Sequence, residues 1–228
     1  MRAEHTDKKF EEDLKKLRDS ILAMGGLVEN QIEKAVSSLV NRDSALAESI
    51  INRDREVNQH DVEIDETCLR LLALHQPAAK DLRSITTALK ITTDLERIGD
   101  MAVNICERAI ELNLEPQLKP YIDIPRMAQI SQRMIRESLD AFVREDTDLA
   151  LKVCKDDEEI DDLNRQVFRE TITFMIEDPH TINRAMKITF VSKYLERIAD
   201  HTTNIAEMVI FMVKGKSIRH LKDIPQSI

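Results

Sequence analysis

The segment LERIGDMAVNICE at 95–107 returns as LERIADHTTNIAE at 195–207, with Leu, Glu, Arg, Ile, Asp, Asn, Ile and Glu identical at an offset of 100. Identity that dense at a fixed spacing marks a duplicated structural unit. Further upstream the register changes to 103, where Asp43 pairs with Asp146, Leu46 with Leu149, Asp54 with Asp157, Glu56 with Glu159 and Val57 with Ile160. The three-residue difference must fall where the second helix of each unit turns into the third. Whatever one half folds into, the other half must be able to fold into as well.

Each unit reads as helix throughout. Apolar residues recur at the 3-4 spacing of an amphipathic helix over about 8–41, 44–74 and 77–112, and again over about 126–144, 147–176 and 179–214. Asp43 and Ser44 can cap the second helix, Pro77 suits a first helical turn, and Gly215 suits the position just past the last helix. Between the units, residues 113–125 carry Pro116, Pro120 and Pro125 without any period and read as the linker. The expected fold is all-α: two tandem three-helix bundles, six long helices in all, divided into 1–115 and 116–228. With 228 residues the chain is long enough to bury a core without covalent staples.

Composition agrees and excludes several classes. One third of the residues are charged, Trp is absent and there are only 4 Gly and 6 Pro, a mixture suited to long helices rather than strands. Cys68, Cys106 and Cys154 are odd in number and widely spaced, so neither a disulfide framework nor a thiolate zinc site is expected, and a reducing cytoplasm fits. The charged N-terminus lacks an apolar leader, and the longest apolar runs are far too short to span a bilayer. A formal net charge of −9 argues against nucleic acid as a partner, which needs a basic surface. The one basic cluster, Lys214, Lys216, Arg219, His220 and Lys222, could touch an anionic surface or a partner but reads first as a frayed, solvated end.

On the third helix of each unit the helical repeat of about 100° per residue separates two faces. Leu95, Ile98, Ala102, Ile105 and Ala109 form a bundle seam. Glu96, Asp100, Asn104 and Glu107 fall on the opposite side, as do Glu196, Asp200, Asn204 and Glu207, so an acidic stripe is expected to face outward twice. Carboxylates at i and i+4 stand roughly 5–6 Å apart at Cβ, close enough to share a hard cation or to bridge two. Asp157 and Asp161, also i and i+4, add oxygen ligands from the preceding helix; in the first unit the matching pair is Asp54 and Asn58, one carboxylate fewer. All-oxygen ligands favour Mg, Mn or a hard Fe centre over structural zinc. Glu96, Asp100, Glu196, Asp200, Asp157 and Asp161 are therefore the candidate metal ligands. The stripe is kept while the core drifts (Met101 against His201, Val103 against Thr203), which speaks for a surface role, although Arg97 and Arg197 could account for it through ion pairs. His201 reads as an ordinary surface histidine.

These segments, TDLERIGDMAVNICERA and KYLERIADHTTNIAEMV, resemble the paired signatures of the PhoU family. The likeness extends to FEEDLKKLRDSILAMGGLVENQIEKA, NRDREVNQHDVEIDE and LLALHQPAAKDLRSITTALKITTDLERIGD, and covers about 10–214. The resemblance implies a cytoplasmic negative regulator, not an enzyme, that couples a phosphate-specific ABC transporter to a phosphate-sensing histidine kinase. It also implies metal clusters on E(D)-x-x-x-D motifs, here Glu96 with Asp100, Glu196 with Asp200 and Asp157 with Asp161, and a homodimer. Two other readings fit an acidic helical bundle: a carboxylate-bridged metal enzyme or store, or a metal-free scaffold. The first needs Glu-x-x-His on one helix face, and Glu177 to His180 straddles Pro179.

Overall fold

In the computed structural model, which describes residues 2–216 with side chains from residue 8 onward, the chain is a set of antiparallel helices. Arg219, His220 and Lys222 of the basic cluster lie outside the described residues. The first unit comprises α1 (Arg2–Val40), α2 (Ser44–Arg53), α3 (Arg55–His75) and α4 (Ala79–Asn113). The second comprises α5 (Asp123–Arg144), α6 (Thr147–Glu177) and α7 (Ile182–Lys214), with a short 3-10 turn at Pro179–Thr181 ahead of α7. Since α2 and α3 are one helix with a break at a single residue, the all-α expectation of two three-helix repeats holds.

That break is the main departure from the periodicity. At Asp54 the backbone stays right-handed helical (φ −57°, ψ −28°), but its N–H bonds to Ile51 three residues back, which tightens one turn. Its carboxylate is turned inward, where Oδ1 accepts from Gln31 Nε2 at 3.5 Å and Oδ2 from Asn58 Nδ2 at 3.1 Å. The counterpart Asp157 lies within an unbroken α6.

The capping chemistry is as the residue types dictate. Asp43 accepts the Leu46 N–H at 2.9 Å, Asp146 accepts those of Asp148 and Leu149 at 3.0 Å, and Gly215 closes α7 at φ 69°. Pro77 does not enter a first turn: Gln76 (φ 46°) ends α3 in a left-handed cap, and α4 begins at Ala79 after an extended Ala78. At the offset of 100 the first turn of α4, Ala79–Asp81, corresponds to the 3-10 turn Pro179–Thr181, so the three-residue register difference falls at Gln76–Ala78, between α3 and α4.

The two units lie side by side, joined by α1 against α5 and α4 against α7, with α2, α3 and α6 on the flanks. Their apolar seams merge into one continuous core, in which Ile21, Met24, Ile91, Leu95 and Ile98 meet Phe142, Leu195, Ile198 and Ile205. Burial of this kind, at roughly 25 cal/mol per Å² of apolar surface, supplies the stability that isolated helices lack. Among the described residues no helix is long and apolar enough to cross a membrane. Next to α5, Gly25 on α1 gives a close approach: a Cβ there would lie 2.1 Å from Leu139 Cδ1.

Candidate functional site

The acidic stripes face outward only in part: Asp200 and Glu107 are exposed, but the glutamates at their start are not. On a helical wheel they lie opposite the seam of their own helix, but the flanking helix covers that side, so each stripe forms one wall of a groove. Only 24% of the Glu96 side chain and 13% of the Glu196 side chain is exposed. The other wall is α3 in the first unit and α6 in the second.

In the second groove Asp157 and Asp161 of α6 confront Glu196 and Asp200 of α7, bringing together four of the six ligand candidates. Burial, reinforced by the charges of Asp200, Asp161 and Glu196, pushes the Asp157 carboxyl up from 3.8 to about 7. Burial raises Asp200 as well. Asp157 Oδ1 and Glu196 Oε2 are buried and lack any hydrogen-bond partner. Two unsatisfied carboxylate oxygens in one acidic groove are costly in the absence of a cation or water. Lys193 Nζ sits 2.5 Å from Glu196 Oε1, and Arg165 reaches Asp161 at 3.8 Å, so part of the charge is offset from the rim.

The first groove is built from Asp54 at the helix break, Asp61 on α3, and Glu96 and Asp100 on α4. Burial raises both Asp54 and Glu96; Asp100 adds to each, and Asp61 and Asp54 add to Glu96. The sequence comparison had this groove one carboxylate short, because Asn58 stands opposite Asp161. Asp61 supplies the missing charge from a position whose counterpart is Asn164, so duplication alone gave no signal for it; its spacing of seven from Asp54, two turns along the same face, did. Gly99 lets the walls close, since a Cβ there would be 3.3 Å from Gln31 Oε1 and 3.5 Å from Asp54 Oδ1. Arg97 pairs with Glu96 at 3.5 Å and Asp100 at 3.3 Å, the ion pair that the sequence left open as an explanation for the retained acids.

The outer part of the first stripe leaves the groove, with Glu107 exposed beside Arg108. His201 is no ordinary surface histidine: its Nδ1 lies 2.8 Å from Asp94 Oδ1, half-buried, where α7 crosses α4 and the two units meet.

The donor set is all carboxylate, with unsatisfied oxygens directed into the second groove, and this suits a hard cation. Among the described residues, however, no three His, Cys, Asp or Glu side chains are drawn together into a ligand set as they stand. An ion would have to pull the walls together by side-chain rotation. The Glu-x-x-His alternative fails on geometry too, as α6 ends at Glu177 and Asp178 caps the following 3-10 turn.

Residues 21–109 and 124–209 each match the PhoU domain, one match per repeat. The chain belongs to the PhoU family. It is 44% identical over 218 residues to a phosphate-specific transport system accessory protein PhoU homolog of Pseudomonas aeruginosa, covering 95% of this chain and 90% of the relative. It is 42% identical over 212 residues to the one from Aquifex aeolicus, covering 93% and 96%. The crystal structure of PhoU from Pseudomonas aeruginosa superposes with a TM-score of 0.87 over 91% of this chain and all of that one. The phosphate transport system regulatory protein PhoU from Streptococcus pneumoniae does so with a TM-score of 0.86 at 31% identity, over 92% and 99%. PhoU-family proteins bear accessory and regulatory names rather than enzymatic ones.

Proposed function

We propose that this chain is a negative regulator of the phosphate-starvation response, an adaptor on the cytoplasmic side of the membrane that couples a phosphate-specific ABC transporter to a phosphate-sensing histidine kinase. The observation that carries this reading is the family relationship over nearly the full length of both repeats. The chain acts by presentation rather than catalysis: long helices sharing one core hold two surfaces at a fixed spacing for two partners to read. Units 1–115 and 116–228 are the two halves of that presenting body, and the protein works as a homodimer.

The acidic grooves hold Mg, Mn or Fe ions in this reading. Asp157, Asp161, Glu196 and Asp200 bind in one groove; Glu96 and Asp100, joined by Asp54 and Asp61, bind in the other. The unpartnered oxygens of Asp157 and Glu196 support this assignment. A bound cation would supply charge neutralisation, drawing α6 to α7 and α3 to α4.

Deletion of the gene tests the regulatory role: starvation genes should be expressed in rich phosphate. A deletion strain that keeps normal repression overturns it. For the grooves, elemental analysis of protein purified without chelator should find metal in the wild type and none in a Glu96→Gln/Asp100→Asn/Glu196→Gln/Asp200→Asn variant; equal content in both would refute the assignment.

A further inference from the structure

One apolar surface has no role in the grooves or the core. On α6, Phe168, Ile172 and Ile176 follow one another at four-residue spacing; on α7, Ile182, Met186 and Phe190 do the same, and all six are exposed. The helices are antiparallel, and the Thr171–Thr189 and Ser192–Asn164 hydrogen bonds set their register. In that register Phe168 stands by Phe190, Ile172 by Met186 and Ile176 by Ile182, a ridge two helices wide and two turns long.

We propose that this ridge is the seat of a closed two-fold dimer, with a second copy of this chain packing its own α6–α7 ridge antiparallel onto the first. The inference rests on the self-association included in the reading above and assigns it a surface.

Three features favour a second copy as occupant. The first is area. The six side chains present roughly 500 Å² of apolar surface, the size at which a patch marks a binding site. Because interfaces are about 57% non-polar, such a patch corresponds to roughly 900 Å² per partner, and a stable pair needs about 800 Å².

The second is shape. At the phenylalanine end the ridge opens into a groove of about 320 Å³ between Phe168 and Phe190, flanked by Asn164, Arg165, Thr189 and Lys193. At the other end Ile176 projects with 76% of its surface exposed. A two-fold axis through the central Ile172/Met186 pair brings the projecting end of each copy over the groove of the other. The aliphatic stems of Arg165 and Lys193 can line that groove while their charges stay in water.

The third is closure. In the first unit the equivalent positions are Asp65, Leu69, Ala73, Leu82, Thr86 and Lys90; Leu69 and Leu82 are exposed, but Asp65 and Lys90 put charges where the two phenylalanines stand, so that flank has no matching ridge. A chain with a single self-complementary face forms a two-fold pair and stops, whereas two such faces would generate a filament.

Sedimentation velocity and light scattering on the full chain, over a dilution series, test the proposal together with a Phe168→Glu/Ile176→Asp variant. Both residues are exposed, so helix content by circular dichroism should be unchanged. The expected result is a dimer for the wild type and a monomer for the variant. An Ile172→Cys variant should form a covalent dimer on oxidation, since a residue beside the two-fold axis meets its own copy. A variant that stays dimeric, with no Ile172→Cys cross-link, overturns the ridge while leaving self-association intact. A monomeric wild type overturns both. If that monomer also loses starvation-gene repression on Phe168→Glu/Ile176→Asp substitution, the ridge belongs to a different protein.

Discussion

Replacing Asp157 by Asn should stabilise the metal-free protein at alkaline pH and leave it unchanged at acid pH. Asp157 titrates near 3.8 when exposed and near 7 in the folded groove. The folded state thus keeps a proton that the unfolded chain releases. The stabilisation this provides is fully present below about pH 4 and disappears as pH rises through about 7. At ~1.4 kcal/mol per pH unit the ceiling is about 4 kcal/mol; partial exposure and screening reduce the expected effect to about 1–2 kcal/mol. Asn keeps the size and the hydrogen-bonding capacity without the charge. Calorimetry in chelator at low ionic strength should show the variant melting about 2–8 °C above the wild type near pH 8, using ~2–4 °C per kcal/mol for a chain of this length, and the two coinciding near pH 4. A cation held by the groove reverses the order, because it stabilises the wild type alone. Coincident melting at both pH values would refute the buried acid pair as the source of strain.

Other outcomes follow from local geometry. Gly26→Ala, with no atom within 4 Å of the new Cβ, should stabilise by about 0.5–1 kcal/mol through helix propensity, while the neighbouring Gly25→Ala should fall below it by about 1–2 kcal/mol as Leu139 is displaced, both read by urea unfolding. A double-mutant cycle on Asp94→Ala and His201→Ala should give a coupling of about 0.5–1.5 kcal/mol across the junction of the units; additive effects would mean that the 2.8 Å contact contributes nothing. Asp146→Ala removes an acceptor serving two N–H groups and should cost about 1–2 kcal/mol, visible as a lower urea midpoint with an unchanged slope.

The helices and their caps were legible because they depend on neighbours in sequence. The 3-4 apolar spacing, Asp43, Asp146 and Gly215 act within a turn or two of where they lie, and the repeat register located even the longer connection between α3 and α4. The break at Asp54 was not legible, since neither proline nor glycine marks it and one partner of its carboxylate, Gln31, lies on a different helix. The surroundings of the candidate ligands were not legible either. A helical wheel gives the angle of Glu96 or Glu196 from its own seam, not where the next helix stands, and the next helix turned an outward stripe into a groove wall. Asp61 escaped for a different reason: looking for acids retained in both copies discards one that has moved by a turn. His201 was misread because its partner, Asp94, lies in the other repeat, beyond the reach of any spacing along one helix.

The back-to-back packing of α4 and α7 means that the two grooves are not separate instruments. Glu96 and Asp100 stand on one of these helices and Glu196 and Asp200 on the other, and Asp94 meets His201 between them. A shift of either helix toward its own flank is therefore a shift of the wall that the opposite groove leans against. Linkage would make any such influence mutual and equal in free energy, so an ion taken by one groove would be weighed against the other, as on a balance with two pans.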